Sequence, residues 1–444
     1  MEGKVTPLDR KPPPASSASC RGVPEADILA MLMHGGCRHL LAAGAEVQAR
    51  ELVSEALGRW LRAGLPHETR ADGERCFDPA EVINGFKWAG LQGRDDFWRA
   101  HWIATGRRMN EDFQALDRRG PMLRASLVRR FDLSGLPDDA ELLLHAPAPL
   151  AGRDHAVTDL EPSTQQAMRR AGVADGRISA RLRPGPLTSA TLGWSATLHA
   201  PDAGPAQAES LGPQEAELYL RPHEGLIRVG PRVRELAALW AAGRTDWDTV
   251  LAFRRGIGAS FCLGVIGYEA FDASGALDWV LEHGWLDCLL GSALLVSLCR
   301  ARGLPARLVG GHFLYPLNPA NHSWAEIWIR ERGWTSVDLI GWDLSAGDAD
   351  AGWQGAFVGR IDLRLVTERP PRRVTGPMSL RLPQACRVLQ STVDGGLDIA
   401  FVDAVSGQAA FTDRVCVTLE PAAAVAPAPS ARGPTVAGRS RSSP

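Results

Sequence analysis

Residues 26–118 carry their apolar positions at a helical period. In AEVQARELVSEALGRWL, Val53, Leu57, Trp60 and Leu61 follow the i, i+4, i+7, i+8 stripe, which predicts an amphipathic helix. FDPAEVINGFKW predicts a helix start with Asp78 as N-cap, Pro79 at N1 and Glu81 at N3. DDFWRAHWIATGRRM predicts a further helix, with His101 among tryptophans as a hydrogen-bonded core histidine rather than a ligand. After Gly120 the period changes to two. LRASLVRRFDL, AELLLHAPAP, TLGWSATLHA and EAELYL alternate between Pro, Gly and Asp clusters, which predicts a mostly antiparallel β-sandwich over 121–225. Helices return in VRELAALWAAG, TDWDTVLAFRRGIG and GALDWVLEHG, within a unit spanning 230–375. HSWAEIWIRERGWTSVDL alternates and turns at Glu331-Arg332-Gly333, as a hairpin does. Residues 376–420 return to short β-like runs, a C-terminal β segment, and the Pro-, Ser- and Ala-rich ends, 1–23 and 421–444, read as disordered.

One helix stands apart. In HGWLDCLLGSALLVSLCRARGLPAR, residues 288–302 are apolar on nearly every side, which predicts a central, buried helix. Its ends are marked: Asp287 suits the N-cap, Arg300 and Arg302 sit where the macrodipole favours cations, Gly303 suits C′ and Pro305 follows. Cys288 falls in the first turn, where unpaired N–H groups favour a thiolate, so its pKa is expected to be depressed from ~8.5. Asp287 opposes this, and is expected to turn toward the amides it caps.

Composition narrows the classes. The 444 residues are enough for two or three domains, and a net charge of −2 gives no electrostatic case for nucleic acid or an anionic membrane. The eight cysteines are scattered with no CxxC, the N-terminus has no apolar signal region, and no run approaches the ~18 residues of a membrane span. These predict a soluble cytoplasmic protein. The sequon Asn321-His322-Ser323 carries no meaning in that setting.

A thiolate needs a base, and the base needs an orienting group. His322 opens one strand-like run and Asp338 closes the next, so a hairpin would set them side by side, one ring nitrogen on Asp338 and the other toward Cys288. Each residue alone has a bland reading: a small hydrophobe, a surface histidine, a turn aspartate. The three together, in that order on helix, strand and strand, outweigh those readings. His283, Asp287, Cys288 and His312 suggest zinc only weakly, since no C-x₂-C or H-x₃-H pair anchors a site; no metal is assigned. Trp324 and Trp328 share a strand face and are candidates either for the wall of a substrate groove or for core.

The run from WLDC through SALLVSLCRARGLPARLVGGH to HSWAEIWIRERGWTSVDL resembles the transglutaminase-like superfamily. The resemblance is specific over about 275–340, and more weakly, through a preceding sandwich and the following GRIDLRLVTERPPR, the layout of its bacterial members. It implies an α+β fold: a papain-like core with a central helix on an antiparallel sheet, preceded by the β-sandwich and an N-terminal helical domain of unknown role. It implies Cys288, His322 and Asp338 as catalytic residues, acting on an amide or thioester of a protein, peptide or carrier-bound substrate through a thioacyl-enzyme. An amine (amide formation) or water (peptidase or amidase activity) then resolves that intermediate. It also implies an oxyanion hole of the Cys288 N–H and an upstream donor, for which Trp285 is the local candidate. Many members have Gly where this chain has Leu286. No cofactor is implied, and the acidic loop of calcium-dependent relatives is missing. The competing class is a non-catalytic fold used as a scaffold, against which the intact Cys, His and Asp argue.

Overall fold

The computed structural model describes most of residues 23–91, 122–199, 210–341 and 357–369, the strands 385–391, 397–402 and 411–419, residues 12–13, and isolated positions from 97 to 111. Apart from residues 12–13 and 23, the termini expected to be disordered, and His101 with its neighbouring tryptophans, lie outside the described residues.

The N-terminal region holds α1 (Glu25–Gly36), α2 (Glu46–Arg62) and α3 (Pro79–Leu91). The apolar stripe of α2 is buried at Ala49, Val53, Ala56, Leu57 and Trp60, and shares a core with Ile28, Leu32, Phe77 and Phe86. Leu61 is only half-buried. Helix α3 starts where its cap signal places it: Asp78 Oδ1 accepts from the Ala80 N–H at 2.8 Å. A small three-stranded sheet, which no local pattern announced, accompanies the helices through Val23–Pro24, Glu68–Thr69 and Arg75–Phe77.

Six strands follow: β1 (Met122–Asp132), β2 (Leu142–Pro147), β3 (Ala156–Thr164), β4 (Arg169–Ala174), β5 (Arg177–Leu182) and β6 (Ser189–His199). β2, β5 and β4 form one antiparallel sheet, while β1, β6 and β3 belong to another. Alternate residues of both, among them Leu127, Leu144, Ile178, Leu192 and Trp194, meet in one core. The buried Trp194 indole donates to Pro147 O at 2.7 Å, which satisfies its one polar atom.

EAELYL is a correction: it lies in α4 (Pro213–Leu220), not in a strand. Pro213 at the first helical turn and Glu215 near the N-terminus favour the helix, and six alternating residues are too few to distinguish the two periods. Next come α5 (Pro231–Ala241), α6 (Asp246–Ser260), α7 (Ala276–His283) and α8 (Cys288–Ala301), then β7 (Ala306–Phe313), β8 (Ala320–Ile329), β9 (Gly333–Val337) and β10 (Arg364–Glu368). The sheet runs β9-β8-β7-β10, antiparallel throughout. Helix α8 lies on one face of it, and residues 289–300 are all buried. Ala306, Leu308, Ala325, Ile327, Ile329 and Val337 belong to the same core as the helix. The intervening positions on β8, which include His322, Trp324 and Glu326, take the other face.

The C-terminal β segment holds the strands β11 (Ala385–Ser391), β12 (Leu397–Val402) and β13 (Phe411–Leu419). β13 pairs with β1 from Phe411↔Phe131 to Leu419↔Leu123, which gives a six-stranded sheet of order β11-β12-β13-β1-β6-β3. The free edge of β1 is covered by strands from the far end of the chain.

The burial of α8 sets a stability expectation. Leu294→Ala, at a site with 0% exposure, should cost ~2–5 kcal/mol in urea denaturation. Leu239→Ala, at 59% exposure on α5, should stay within about 0.5 kcal/mol of wild type.

Candidate active site

The approach to Cys288 is held from two sides. The two-residue strand Cys262–Leu263 pairs in parallel with Trp285–Leu286, and the Gly264 N–H donates to Leu286 O at 2.8 Å. On its other side, α3 grips the same strand. Asn84 donates through Nδ2 to Val265 O (2.7 Å) and accepts from the Val265 N–H (2.8 Å), and Lys87 Nζ donates to Leu263 O (2.6 Å). Gly264 is needed there, because a Cβ would meet Asn84 Oδ1 and the Trp285 ring at 2.5 and 2.6 Å. Gly284, at φ 76°, ends α7 and starts the short run into the N-cap.

Asp287 caps α8 and accepts from the Leu290 N–H at 2.8 Å. The Cys288 sulfur receives backbone N–H groups from Ser323 and Leu289. Ser292 Oγ reaches both Cys288 O (2.6 Å) and Ser323 O (3.2 Å), and so ties the first turn of α8 to β8 beside His322. Past the last β8–β9 pair, Ala325↔Val337, the strand β8 has lost its neighbour, and the helix N-terminus meets its backbone there.

His322 and Asp338 come together as the hairpin requires. His322 Nε2 lies 3.0 and 2.9 Å from the two carboxylate oxygens. Its ring stacks on Phe313, centroids 4.0 Å apart, and is buried at 3% exposure. Asp338, at 2% exposure, also accepts from the Ile340 N–H at 2.9 Å. Arg364 donates through Nε to Oδ2 at 2.9 Å, with Nη2 2.9 Å from the same atom, while Arg254 Nε donates to the Asp338 backbone carbonyl at 3.3 Å. Burial alone would raise this carboxyl. The charges of His322 and Arg364 and the hydrogen bonds from His322 and Ile340 outweigh it and hold Asp338 at about 2. Burial works the opposite way on the Arg254 guanidinium and lowers it to about 10.

The thiol is a correction. Burial pushes Cys288 well above the ordinary thiol range, and the charge of Asp287 adds to the push, with a smaller contribution from Asp338. The amides of Ser323 and Leu289 pull downward and lose. Asp287 caps the helix as expected, yet its charge still reaches the sulfur.

Other sequence candidates fall elsewhere. Trp285 is fully buried in the core of α8, 6.3 Å from Trp88 of α3 between ring centroids. Trp324 is sealed at 0% exposure with Val309, Val366 and Leu150, so it walls no open groove. Trp328 is half-buried and packs edge-on against Trp334 at 5.7 Å. Leu286 is buried and, with Leu339, covers Gly291, where a Cβ would meet both. His283 bonds Trp279 O at 2.9 Å, and among the described residues no group of His, Cys, Asp and Glu is placed to hold a metal.

Sequence reasoning missed Arg364, Arg254, Ser292 and a second buried ion cluster. In that cluster Glu326, on the His322 face of β8, meets Arg307 Nη2 at 2.6 Å and Arg369 Nε at 3.3 Å. Glu326 was visible as the Glu of H-x-W-x-E, and nothing local pointed to its partners.

Residues 259–339 match the family model of the transglutaminase-like superfamily. A protein-glutamine gamma-glutamyltransferase of Pseudomonas aeruginosa is 34% identical over 79 residues, which are 16% of this chain and 12% of that protein. The chain thus spans only about an eighth of this curated relative. Among solved structures, a candidate cysteine protease from Cytophaga hutchinsonii aligns over 67% of this chain and 90% of its own, at 13% identity and a TM-score of 0.41. The periplasmic domain of TgpA from Pseudomonas aeruginosa aligns over 54% and 94%, at 18% identity and a TM-score of 0.30.

A carboxyl held at about 2 when folded, against ~3.9 when unfolded, stabilises the fold above pH ~4 and loses that contribution as pH falls toward 2. Asp338→Asn should therefore flatten the fall in unfolding free energy between about pH 4 and pH 2 by on the order of 2 kcal/mol. At neutral pH it should cost ~3–5 kcal/mol, because Arg364 is left buried without its counter-charge. Denaturant titrations at stepped pH check both.

Proposed function

We propose that this chain is a cysteine acyltransferase that works on an amide or thioester carbonyl of a protein, peptide or carrier-bound substrate. The observation that carries the reading is the meeting of α8 with β8. The Cys288 sulfur takes the N–H of Ser323, the residue next to His322, and His322 holds Asp338 through Nε2. The family match supports cysteine chemistry over this stretch.

His322 uses Nε2 on Asp338, so Nδ1 is the nitrogen that receives the thiol proton. Proton transfer to Nδ1 accompanies attack. The sulfur forms a bond to the carbonyl carbon, and the π pair moves to oxygen. The Cys288 backbone N–H, at the N-terminus of α8, faces the resulting oxyanion, a contact of a kind that contributes ~3 kcal/mol. Collapse breaks the bond to the leaving amine or thiolate, which takes the proton from the imidazolium. An acceptor amine then gives its proton to His322 and attacks the thioacyl-enzyme, which frees Cys288.

Location belongs to the same proposal. Cys37, Cys76, Cys262, Cys288 and Cys299 are free thiols, which supports a reducing, cytoplasmic setting. No helix among the described residues is long and apolar enough to cross a membrane.

Wild type and Cys288→Ala incubated with a glutamine-containing peptide and a fluorescent primary amine test the reading. We expect amine incorporation matched by ammonia release, reduced by on the order of 10³-fold or more in the variant. Ammonia release without amine incorporation would make the chain a hydrolase. Equal rates in both proteins would leave the scaffold class.

A further inference from the structure

Asp338 carries one negative charge and serves an imidazole and a guanidinium. His322 Nε2 sits 2.9 Å from Oδ2, and Arg364 Nε and Nη2 both sit 2.9 Å from that same oxygen. Arg364 has 1% exposure and lies between the Phe313 and Phe357 rings, 5.5 and 4.9 Å from their centroids. Phe313 is also the ring on which His322 stacks. One aromatic side chain thus fixes the base and the guanidinium together. The groups facing this carboxylate are His322 from β8, Arg364 from β10, Arg254 from α6 and, by charge, the Cys288 thiol from α8.

In a three-member arrangement, the carboxylate would place its whole charge at the disposal of the imidazolium. Here a second, permanent cation shares the oxygen and repels a proton arriving on the ring. We propose that Arg364 is a fourth member of the unit, a positioning residue that locks Asp338 and, by taking up its charge, keeps His322 neutral and ready to accept the thiol proton. The inference rests on the acyl-transfer reading above. Only one proton moves, from Cys288 Sγ to His322 Nδ1, and neither Asp338 nor Arg364 gains or loses one. The same arrangement makes the imidazolium, once formed, a stronger acid toward the leaving group. This matters most when the leaving group is a poorly acidic amine, so amides are the substrate class it favours.

The test is the pH profile of kcat/KM for wild type, Arg364→Lys and Arg364→Gln, from about pH 5 to about pH 9. In Arg364→Gln, which keeps a donor but loses the charge, the acid limb should move up by about one pH unit or more. In Arg364→Lys the limb should stay within about 0.3 unit while kcat falls, because the charge remains and the fork is lost. A lower rate in Arg364→Gln with an unmoved limb would reduce Arg364 to packing and overturn the inference.

If Arg364→Gln fails to fold, the combined Asp338→Asn and Arg364→Gln variant replaces it, since it buries no unpaired charge. Its limb should lie within about 0.5 unit of wild type, because two opposed charges leave together. A drop of about one unit or more would mean that Asp338 alone sets the limb. Wild-type turnover with an unmoved limb overturns this inference alone. A wild type with no Cys288-dependent turnover overturns the acyl-transfer reading, and this one with it.

Discussion

A carboxylate at 2% exposure must find its counter-charge and hydrogen bonds inside the protein, and the helix-and-sheet unit around Asp338 is arranged around that need. Asp338 draws on β8 for an imidazole, on β10 for a guanidinium, on its own strand exit for the Ile340 N–H, and on α6 for Arg254 at its carbonyl. These elements are far apart in sequence. Each supplies a group that would be costly to bury without the others. The ion cluster thereby fixes how the last strand of the sheet closes and where the imidazole ring lies.

The sulfur is positioned by apolar packing. Helix α8 is buried from residue 289 to 300, which leaves its first turn little freedom to drift from the edge of β8. The segment before it is held from outside by α3, whose Asn84 carboxamide pairs with Val265 as a neighbouring strand would. The N-terminal helices thus bear on the geometry two residues ahead of the N-cap, although they carry no reacting group. The thiol sits where the first turn of α8 meets β8 beside Ser323.

Much of this was legible. The cap signals at Asp287 and Gly303 bounded the helix, and Gly333, at φ 71°, marked the turn that brings His322 and Asp338 to neighbouring strands. Cys288, His322 and Asp338 were readable because local signals place each of them. Arg364 was not. It lies 26 residues beyond Asp338 in an alternating run, where an arginine reads as a solvent-facing position. The pairing of β13 with β1 spans most of the chain and leaves no local trace. Trp285 suited an oxyanion donor and a core equally, as Trp324 suited a groove and a core, and only the packing around them decides. The state of the thiol depends on enclosure by residues from several elements, so the helix-terminus argument alone gave the wrong direction.

The central claim is that Cys288, His322 and Asp338 act as one nucleophilic unit. The most direct test is intact-protein and peptide mass spectrometry after brief exposure to an activated acetyl ester, on wild type and His322→Ala. The account predicts a single acetyl group on Cys288 in wild type. In His322→Ala, where the thiol is still present, that acetyl should form on the order of 10²-fold more slowly or slower still. Equal acetylation of both proteins, or acetyl groups spread over Cys37, Cys76, Cys262 and Cys299 as readily as Cys288, would contradict it.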